Sequence, residues 1–121
     1  MQRGENMHDR KLNILSLVSY KFLPARLGGD YGNLYFQNYL SDKSNLYVVG
    51  SDSNSPANDE IRFHLIQLFR AAYTPYIPFR YMSNLNEIIN KRNINIFICS
   101  HPYMGLTSYI LTKWNNIPLI L

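Results

Sequence analysis

Two glycines in the first third of the chain stand where a backbone could meet an anion. Gly28 and Gly29 lie between an apolar run and the start of a helical pattern. Glycines at that place let a ligand approach a helix N-terminus closely, and we expect the amides of Gly29, Asp30 and Tyr31 to point at it. The carboxylate of Asp30 would repel a phosphate, and it could instead cap the helix. The pair therefore predicts either an anion site or a loop that needs two flexible residues.

A histidine in the last quarter of the chain is the second candidate. His101 comes almost directly after the apolar run at residues 94–99. If that run is a strand, His101 lies at the carboxyl edge of a sheet, where open α/β sheets bind ligands. Histidine can act there as an acid, a base or a hydrogen-bond donor, or it can simply cap a helix. Cys99 is interpreted as a buried strand residue and not as a nucleophile.

Several common site signatures are missing from the sequence. It contains no GxGxxG, no GxxxxGK[ST] and no GxSxG, which argues against a dinucleotide fingerprint, a P-loop and a nucleophile elbow. No group of histidine, cysteine and acidic residues has the spacing of metal ligands. The residues alone therefore predict no metal, no cofactor and no identifiable catalytic residue.

Composition restricts the class of protein. The chain has 121 residues, of which 46% are hydrophobic and 17% charged, as expected for one small folded domain or part of a larger one. Its net charge of +4 comes from scattered basic residues, and a nucleic-acid-binding protein would show a basic stripe. A single cysteine indicates a reducing compartment such as the cytoplasm. No apolar run approaches the roughly 20 residues of a membrane span.

The apolar runs predict a parallel sheet. Short runs at residues 12–18, 46–49, 94–99 and 117–121 are interpreted as strands. Residues 61–69 fit a strand or a helix and are interpreted as a strand. Residues 1–10 are polar and predict a loose tail. Strands that alternate with helices predict an α/β, Rossmann-like fold, with a mostly parallel sheet and helices on both faces. The final run is interpreted as a buried central strand, and we therefore expect residues 11–121 to be a partial domain.

Three helical patterns connect these strands, and each predicts a buried face. The first begins near Asp30. In the second, Asn84 and Glu87 are placed as a capping box. The third follows Pro102. The residues expected to face the core are Tyr31, Leu34, Tyr35 and Tyr39 in the first helix, Leu85, Ile88 and Ile89 in the second, and Leu106, Ile110 and Trp114 in the third.

Two long segments resemble a known family. The segment KLNILSLVSYKFLPARLGGDYGNLYFQNYLS resembles the opening of family 4 glycosyltransferases of the GT-B fold, which have a strand, a proline-containing loop and a Gly-Gly pair at a helix N-terminus. The segment INKRNINIFICSHPYMGLTSYILTKWNNIPLIL is similar to their later strand, histidine loop, helix and strand. Residues 51–81 match only loosely. The resemblance implies that residues 11–121 are part of the N-terminal, acceptor-side domain, without the C-terminal donor domain.

The resemblance also implies an activity and its partners. Such enzymes are retaining glycosyltransferases that move a sugar from a nucleotide-sugar donor to a glycan or lipid-linked acceptor in cell-envelope polysaccharide synthesis, without a metal. By this likeness, Gly28 and Gly29 approach the donor diphosphate, and His101 with Pro102 lines the acceptor side. A location in the cytoplasm, with peripheral association at the inner face of the membrane, would follow. We expect the chain alone to be inactive.

A non-enzymatic reading stays open beside the enzymatic one. A stand-alone flavodoxin-like or Rossmann-like binding module would show the same alternation of strands and helices. A receiver-type module is disfavoured because it needs paired acids after the first strand, where this chain has Ser19, Tyr20 and Lys21.

Overall fold

The computed structural model describes residues 11–18, 21–57, 59–69, 81–100 and 105–121. Strands and helices alternate through these ranges, and the predicted tail at residues 1–10 lies outside them. In chain order the elements are β1 (Asn13–Leu17), α1 (Gly28–Lys43), β2 (Asn45–Ser51), β3 (His64–Phe69), α2 (Met82–Lys91), β4 (Ile96–Cys99), α3 (Gly105–Asn115) and β5 (Leu119–Ile120).

The strands form one sheet of five in the order β3-β2-β1-β4-β5. Every neighbouring pair is parallel. The predicted α/β, Rossmann-like fold is therefore confirmed, and so is the strand interpretation of residues 61–69, although β3 begins only at His64. A register shift at Gly50 and Ser51 interrupts the pairing of β2 with β3.

The sheet is covered on both faces, because side chains alternate along β1. Leu15 and Leu17 point to one face and pack with residues of α2 and α3, among them Leu85 and Leu111. On the opposite face the partners of the sheet come from α1 and from the loop that precedes it. The buried residues of this face, from the sheet and from its partners together, are Ile14, Val18, Phe22, Leu23, Ala25, Leu34, Leu46, Val48 and Phe63.

The prediction for the buried face of α1 is wrong for its tyrosines. Leu34 is buried, but Tyr31, Tyr35 and Tyr39 are 42%, 65% and 59% exposed. The second fully buried residue of the helix is Gln37, whose amide donates to the hydroxyl of Ser16 in β1 at 3.0 Å. The tyrosines recur every fourth residue along the outer side of the helix, while a leucine and a glutamine face the sheet.

The prediction for α3 is also wrong. Leu106 and Trp114 are 67% and 71% exposed, whereas the buried side of α3 consists mainly of small polar residues. These buried residues are Thr107, Ser108, Leu111 and Thr112. Asn115 of α3 donates to Asn86 of α2 at 2.8 Å.

Two further expectations need correction. Because α2 begins at Met82, Asn84 lies inside the helix and is not its N-cap. Glu87 instead accepts a hydrogen bond from Lys91 at 2.6 Å on the exposed side. The last strand, expected to be buried and central, is β5 at the edge of the sheet, where Ile120 is 50% exposed. The predicted buried face of α2 is confirmed by Leu85 and Ile89.

Candidate functional site

The strand order creates one place where two neighbouring loops diverge. The chain leaves β1 towards β2 and β3 on one side, and it leaves β4 towards β5 on the other. The connections start at adjacent points, since the backbone amide of Ser100 donates to the carbonyl of Leu17 at 3.1 Å. In open α/β sheets ligands bind in the crevice outside such a switch point. The candidate site therefore lies at the carboxyl ends of β1 and β4.

The loop from β1 to α1 is anchored by apolar burial. Phe22 and Leu23 are fully buried, Ala25 is nearly so, and the Leu23–Pro24 peptide bond is cis. The ring of Phe22 stacks on that of Phe63, with centroids 6.3 Å apart. The loop that leads to the two glycines is thus packed into the core and does not depend on α1 alone for its position.

A buried asparagine from the next loop fixes the backbone of this segment. The Asn54 side chain accepts hydrogen bonds from the amides of Phe22 at 2.9 Å and Leu23 at 3.1 Å, and it donates to the carbonyl of Ser51 at 3.1 Å. A Cβ at Gly50 would lie 3.1 Å from the amide nitrogen of Asn54. Gly50 therefore leaves the space in which Asn54 can join the two loops.

A glutamate makes a second connection nearer to the glycines. The carboxylate of Glu60 accepts from the amide of Ala25 at 3.0 Å and from the amide of Ala57 at 3.1 Å. The carbonyl of Glu60 accepts from the side chain of Asn38 in α1 at 3.0 Å. Glu60 therefore holds the loop, the helix and the segment before β3 in one arrangement.

Gly28 and Gly29 are the first two residues of α1 and are exposed. By helix geometry the amides of Gly28, Gly29 and Asp30 have no partner inside the helix. The expectation for Tyr31 is wrong, because its amide donates to the carbonyl of Leu27 at 3.1 Å and belongs to the helix ladder. Three amides at the positive end of the helix dipole can therefore serve an anion.

Asp30 limits the affinity of this end of the helix for anions. Its carboxylate accepts from the amides of Arg26 at 3.2 Å and Leu27 at 3.4 Å, so it stabilises the turn from within the first helical turn and is not the N-cap itself. The negative charge stays beside the glycines and opposes that of a phosphate. The side chain of Arg26 is exposed on the same turn.

The space around the two glycines is open. A Cβ built at Gly28 or Gly29 would meet nothing within 4 Å. The packing of the described residues therefore does not require glycine at either position. Because neither glycine has a side chain, the helix N-terminus is accessible to a ligand. Its backbone amides can bind an anion.

The structure describes Ser100 but not the second predicted site residue, His101. His101 and Pro102 lie outside the described residues, so the role of His101 stays a prediction. Ser100 continues β4 beside the end of β1. Cys99 is buried and not part of a disulfide, as expected for a strand residue.

Asn54 and Glu60 were not predicted from the sequence. Both lie in the polar stretch that follows β2, whose composition indicates a loop and distinguishes no single residue. The one local signal was Gly50 at the end of an apolar run, since a glycine there often marks a bulge or a close approach.

A groove among the described residues lies away from the glycines. An open groove lies between the end of α3 and the start of β5, bordered by Tyr109, Lys113 and Pro118, at the opposite edge from the glycines. Within the described ranges, no three histidine, cysteine or acidic side chains are grouped as a metal site. None of the described helices is both long and apolar enough to cross a membrane.

Comparison with known proteins shows a similarity in fold. Neither the scan against protein-family models nor the search of curated proteins finds a match for the chain. A search of solved structures finds the crystal structure of a glycosyltransferase from Rickettsia africae ESF-5, with a TM-score of 0.61 and 19% sequence identity. The match covers 90% of this chain and 28% of that chain. This chain thus has the fold of part of a glycosyltransferase and spans less than a third of that protein's length.

Proposed function

We propose that this chain is the N-terminal, acceptor-side part of a retaining glycosyltransferase related to family 4. The observation that carries the proposal is the position of Gly28 and Gly29. They begin α1 with open space around them, beside the switch point between β1 and β4. The similarity in fold to a glycosyltransferase supports this reading. The donor would be a nucleotide sugar. The amides of Gly28, Gly29 and Asp30 would bind its diphosphate.

The chain's contribution to the reaction is electrostatic and positional. When the sugar departs, negative charge grows on the nucleoside diphosphate. Backbone amides held at a fixed place stabilise that charge without reorganising. Asn54 and Glu60 keep the amides in place by holding the loop before them. His101 would line the acceptor side, where a glycan or lipid-linked hydroxyl attacks.

The remaining catalytic groups would come from a donor-binding domain outside this chain. We therefore propose that the chain alone binds weakly and does not turn over. The complete enzyme would act in the cytoplasm at the inner face of the membrane, in cell-envelope polysaccharide synthesis. Robust transfer or hydrolysis of a nucleotide sugar by the purified 121-residue chain would contradict the claim that it is only part of an enzyme.

A charge substitution tests the proposed diphosphate site. Asp30→Asn keeps an oxygen that can accept from the preceding amides but removes the charge beside the glycines. We expect UDP to bind about three- to tenfold more tightly, the effect of removing one like charge some 5 Å away in a partly aqueous site. Isothermal titration calorimetry at physiological ionic strength measures the change.

Asp42→Asn provides the matched control. Asp42 lies in the last turn of the same helix, about 18 Å from Asp30 at 1.5 Å per residue and beyond the screening length of physiological salt. Asp42→Asn removes the same charge as Asp30→Asn, and it also removes an exposed salt bridge to Arg62. Equal effects of the two substitutions would mean that UDP responds only to net charge, and the proposed site would be rejected.

A further inference from the structure

The end of the molecule opposite the two glycines is rich in basic side chains that are scattered along the sequence. Each helix of this parallel fold ends just before a strand begins, so the last helical turns and the first strand residues share the amino edge of the sheet. The cations at this edge, called here the basic end, are exposed. They are Lys11 before β1, Lys43 at the end of α1, Arg62 before β3, Lys91 and Arg92 at the end of α2, and Lys113 in the last turn of α3.

The acidic side chains do not cancel this charge. Among the residues that the structure describes, the basic end holds six cations against two acids, Asp42 and Glu87. Asp42 pairs with Arg62 at 2.9 Å, and Glu87 pairs with Lys91 at 2.6 Å. The other described acids lie in the first turn of α1 or in the loop after β2. Each helix C-terminus adds about half a negative charge, which leaves the basic end positive.

Tyrosines and a leucine accompany the cations of the basic end. Three cations lie over tyrosine rings. The pairs, with the distance from the charged group to the ring centre, are Lys43 with Tyr39 at 5.3 Å, Arg92 with Tyr47 at 5.4 Å and Lys113 with Tyr109 at 5.7 Å. Leu12, at the start of the central strand, is 49% exposed. Long cations, amphipathic rings and exposed aliphatic side chains together are typical of protein surfaces that meet lipid headgroups.

We propose that the basic end docks on an anionic lipid bilayer. Such docking rests on the proposed function and deepens it, because a lipid-linked acceptor is held at a membrane. The cations are spread over helices on both faces of the sheet, since α1 packs on one face and α2 with α3 on the other. A small anionic ligand would reach only one of these helices, whereas a planar anionic surface reaches all three.

This orientation leaves the proposed donor site open. Gly28 begins α1 and Lys43 ends it, and the helix has 16 residues. At 1.5 Å per residue the two glycines lie about 24 Å from the basic end. A water-soluble nucleotide sugar can therefore enter from the aqueous side while the basic end contacts the bilayer.

Co-sedimentation of the full 121-residue chain with lipid vesicles is the primary experiment. We expect binding to vesicles of phosphatidylcholine with about one-third phosphatidylglycerol, and none to phosphatidylcholine alone, because the attraction needs anionic headgroups. Binding measured at about 0.15 M salt should be lost at about 1 M salt, which screens the charges.

Two double variants test whether the basic end itself makes the contact. Lys43→Gln with Lys113→Gln removes one cation from each face of the sheet and should weaken vesicle binding about 25-fold, at about fivefold for each cation. Lys21→Gln with Arg26→Gln is the matched control. It removes the same charge from exposed positions beside the glycines, farther from the bilayer than the screening length, and should change binding less than about twofold.

Three results would overturn the proposal. They are failure of the chain to bind anionic vesicles, equal losses in the two double variants, and tighter binding of a DNA or RNA oligonucleotide than of anionic vesicles at the same salt. The last result would assign the basic end to a nucleic acid. Titration with UDP tests the transferase proposal separately, because the vesicle assay contains no nucleotide.

Discussion

Removing the side chain of Asn54 should loosen the loop that presents the two glycines. Asn54 is fully buried and joins the loop after β1 to the loop after β2 through three hydrogen bonds. Asn54→Ala deletes all three and leaves the amides of Phe22 and Leu23 without their acceptor. Both residues are themselves fully buried, so water does not readily replace the lost oxygen.

The structure sets the size of the effect. A buried donor left unsatisfied costs about 1–3 kcal/mol, and two neighbouring amides that share one acceptor relax together, so their costs do not simply add. We therefore expect Asn54→Ala to lower the free energy of unfolding by about 2–4 kcal/mol. That is a large share of the roughly 5–15 kcal/mol typical of a domain.

Urea denaturation followed by circular dichroism measures this change. Asn90→Ala is a suitable control, because Asn90 is exposed and its side chain donates to the carbonyl of Asn86 one turn back. The control should change stability by less than about 0.7 kcal/mol, the difference in helix propensity. Amide exchange at Phe22 and Leu23 should also accelerate in Asn54→Ala. A loss below about 1 kcal/mol with unchanged exchange would refute the positioning role.

Substitutions at three other contacts provide further tests. Glu60→Ala removes a carboxylate that accepts two backbone amides and should lower the unfolding free energy by about 1–2 kcal/mol in urea titrations. The double variant Ser16→Ala with Gln37→Leu removes a buried polar contact but also takes the donor away from the Asn33 side chain. It should therefore lower the unfolding free energy by about 1–2 kcal/mol. The Lys91 ammonium holds the pKa of Glu87 below its usual value. The contribution of this ion pair to the free energy of unfolding is therefore present at neutral pH, and it is lost as the pH falls through the lowered pKa. Glu87→Gln should flatten the acid side of the stability profile, and an unchanged profile would contradict the assignment.

The sheet could be predicted because buried parallel strands leave a strong pattern. The runs that became β1, β2 and β4 are nearly continuous apolar segments, and the helices between them make parallel pairing the simplest connection. The position of the two glycines at the start of α1 could be predicted for the same reason, whereas their role in binding stays a prediction. The ambiguous run at β3 was assigned correctly, but its first residues lie outside the strand.

The faces of two helices could not be predicted because periodicity does not distinguish inside from outside. In α1 the tyrosines and the pair Leu34–Gln37 both recur at helical spacing, and tyrosine hydroxyls tolerate water. Burial of Gln37 depends on its contact with Ser16, which only the tertiary structure provides. The small polar residues of α3 are buried, although their polarity gives no indication of this in the sequence. The roles of Asn54 and Glu60 depend on loop geometry that leaves no pattern in the sequence.

The central claim is that the N-terminus of α1 binds the diphosphate of a nucleotide sugar. The most direct measurement is a titration of the ¹⁵N-labelled chain with UDP-glucose and GDP-mannose, followed by NMR at the amides of Gly28, Gly29 and Asp30. The account predicts saturable shifts at these amides, none at Asn90 in α2, and the same pattern with UDP. Absence of shifts at millimolar ligand, or equal shifts at Asn90, would contradict it.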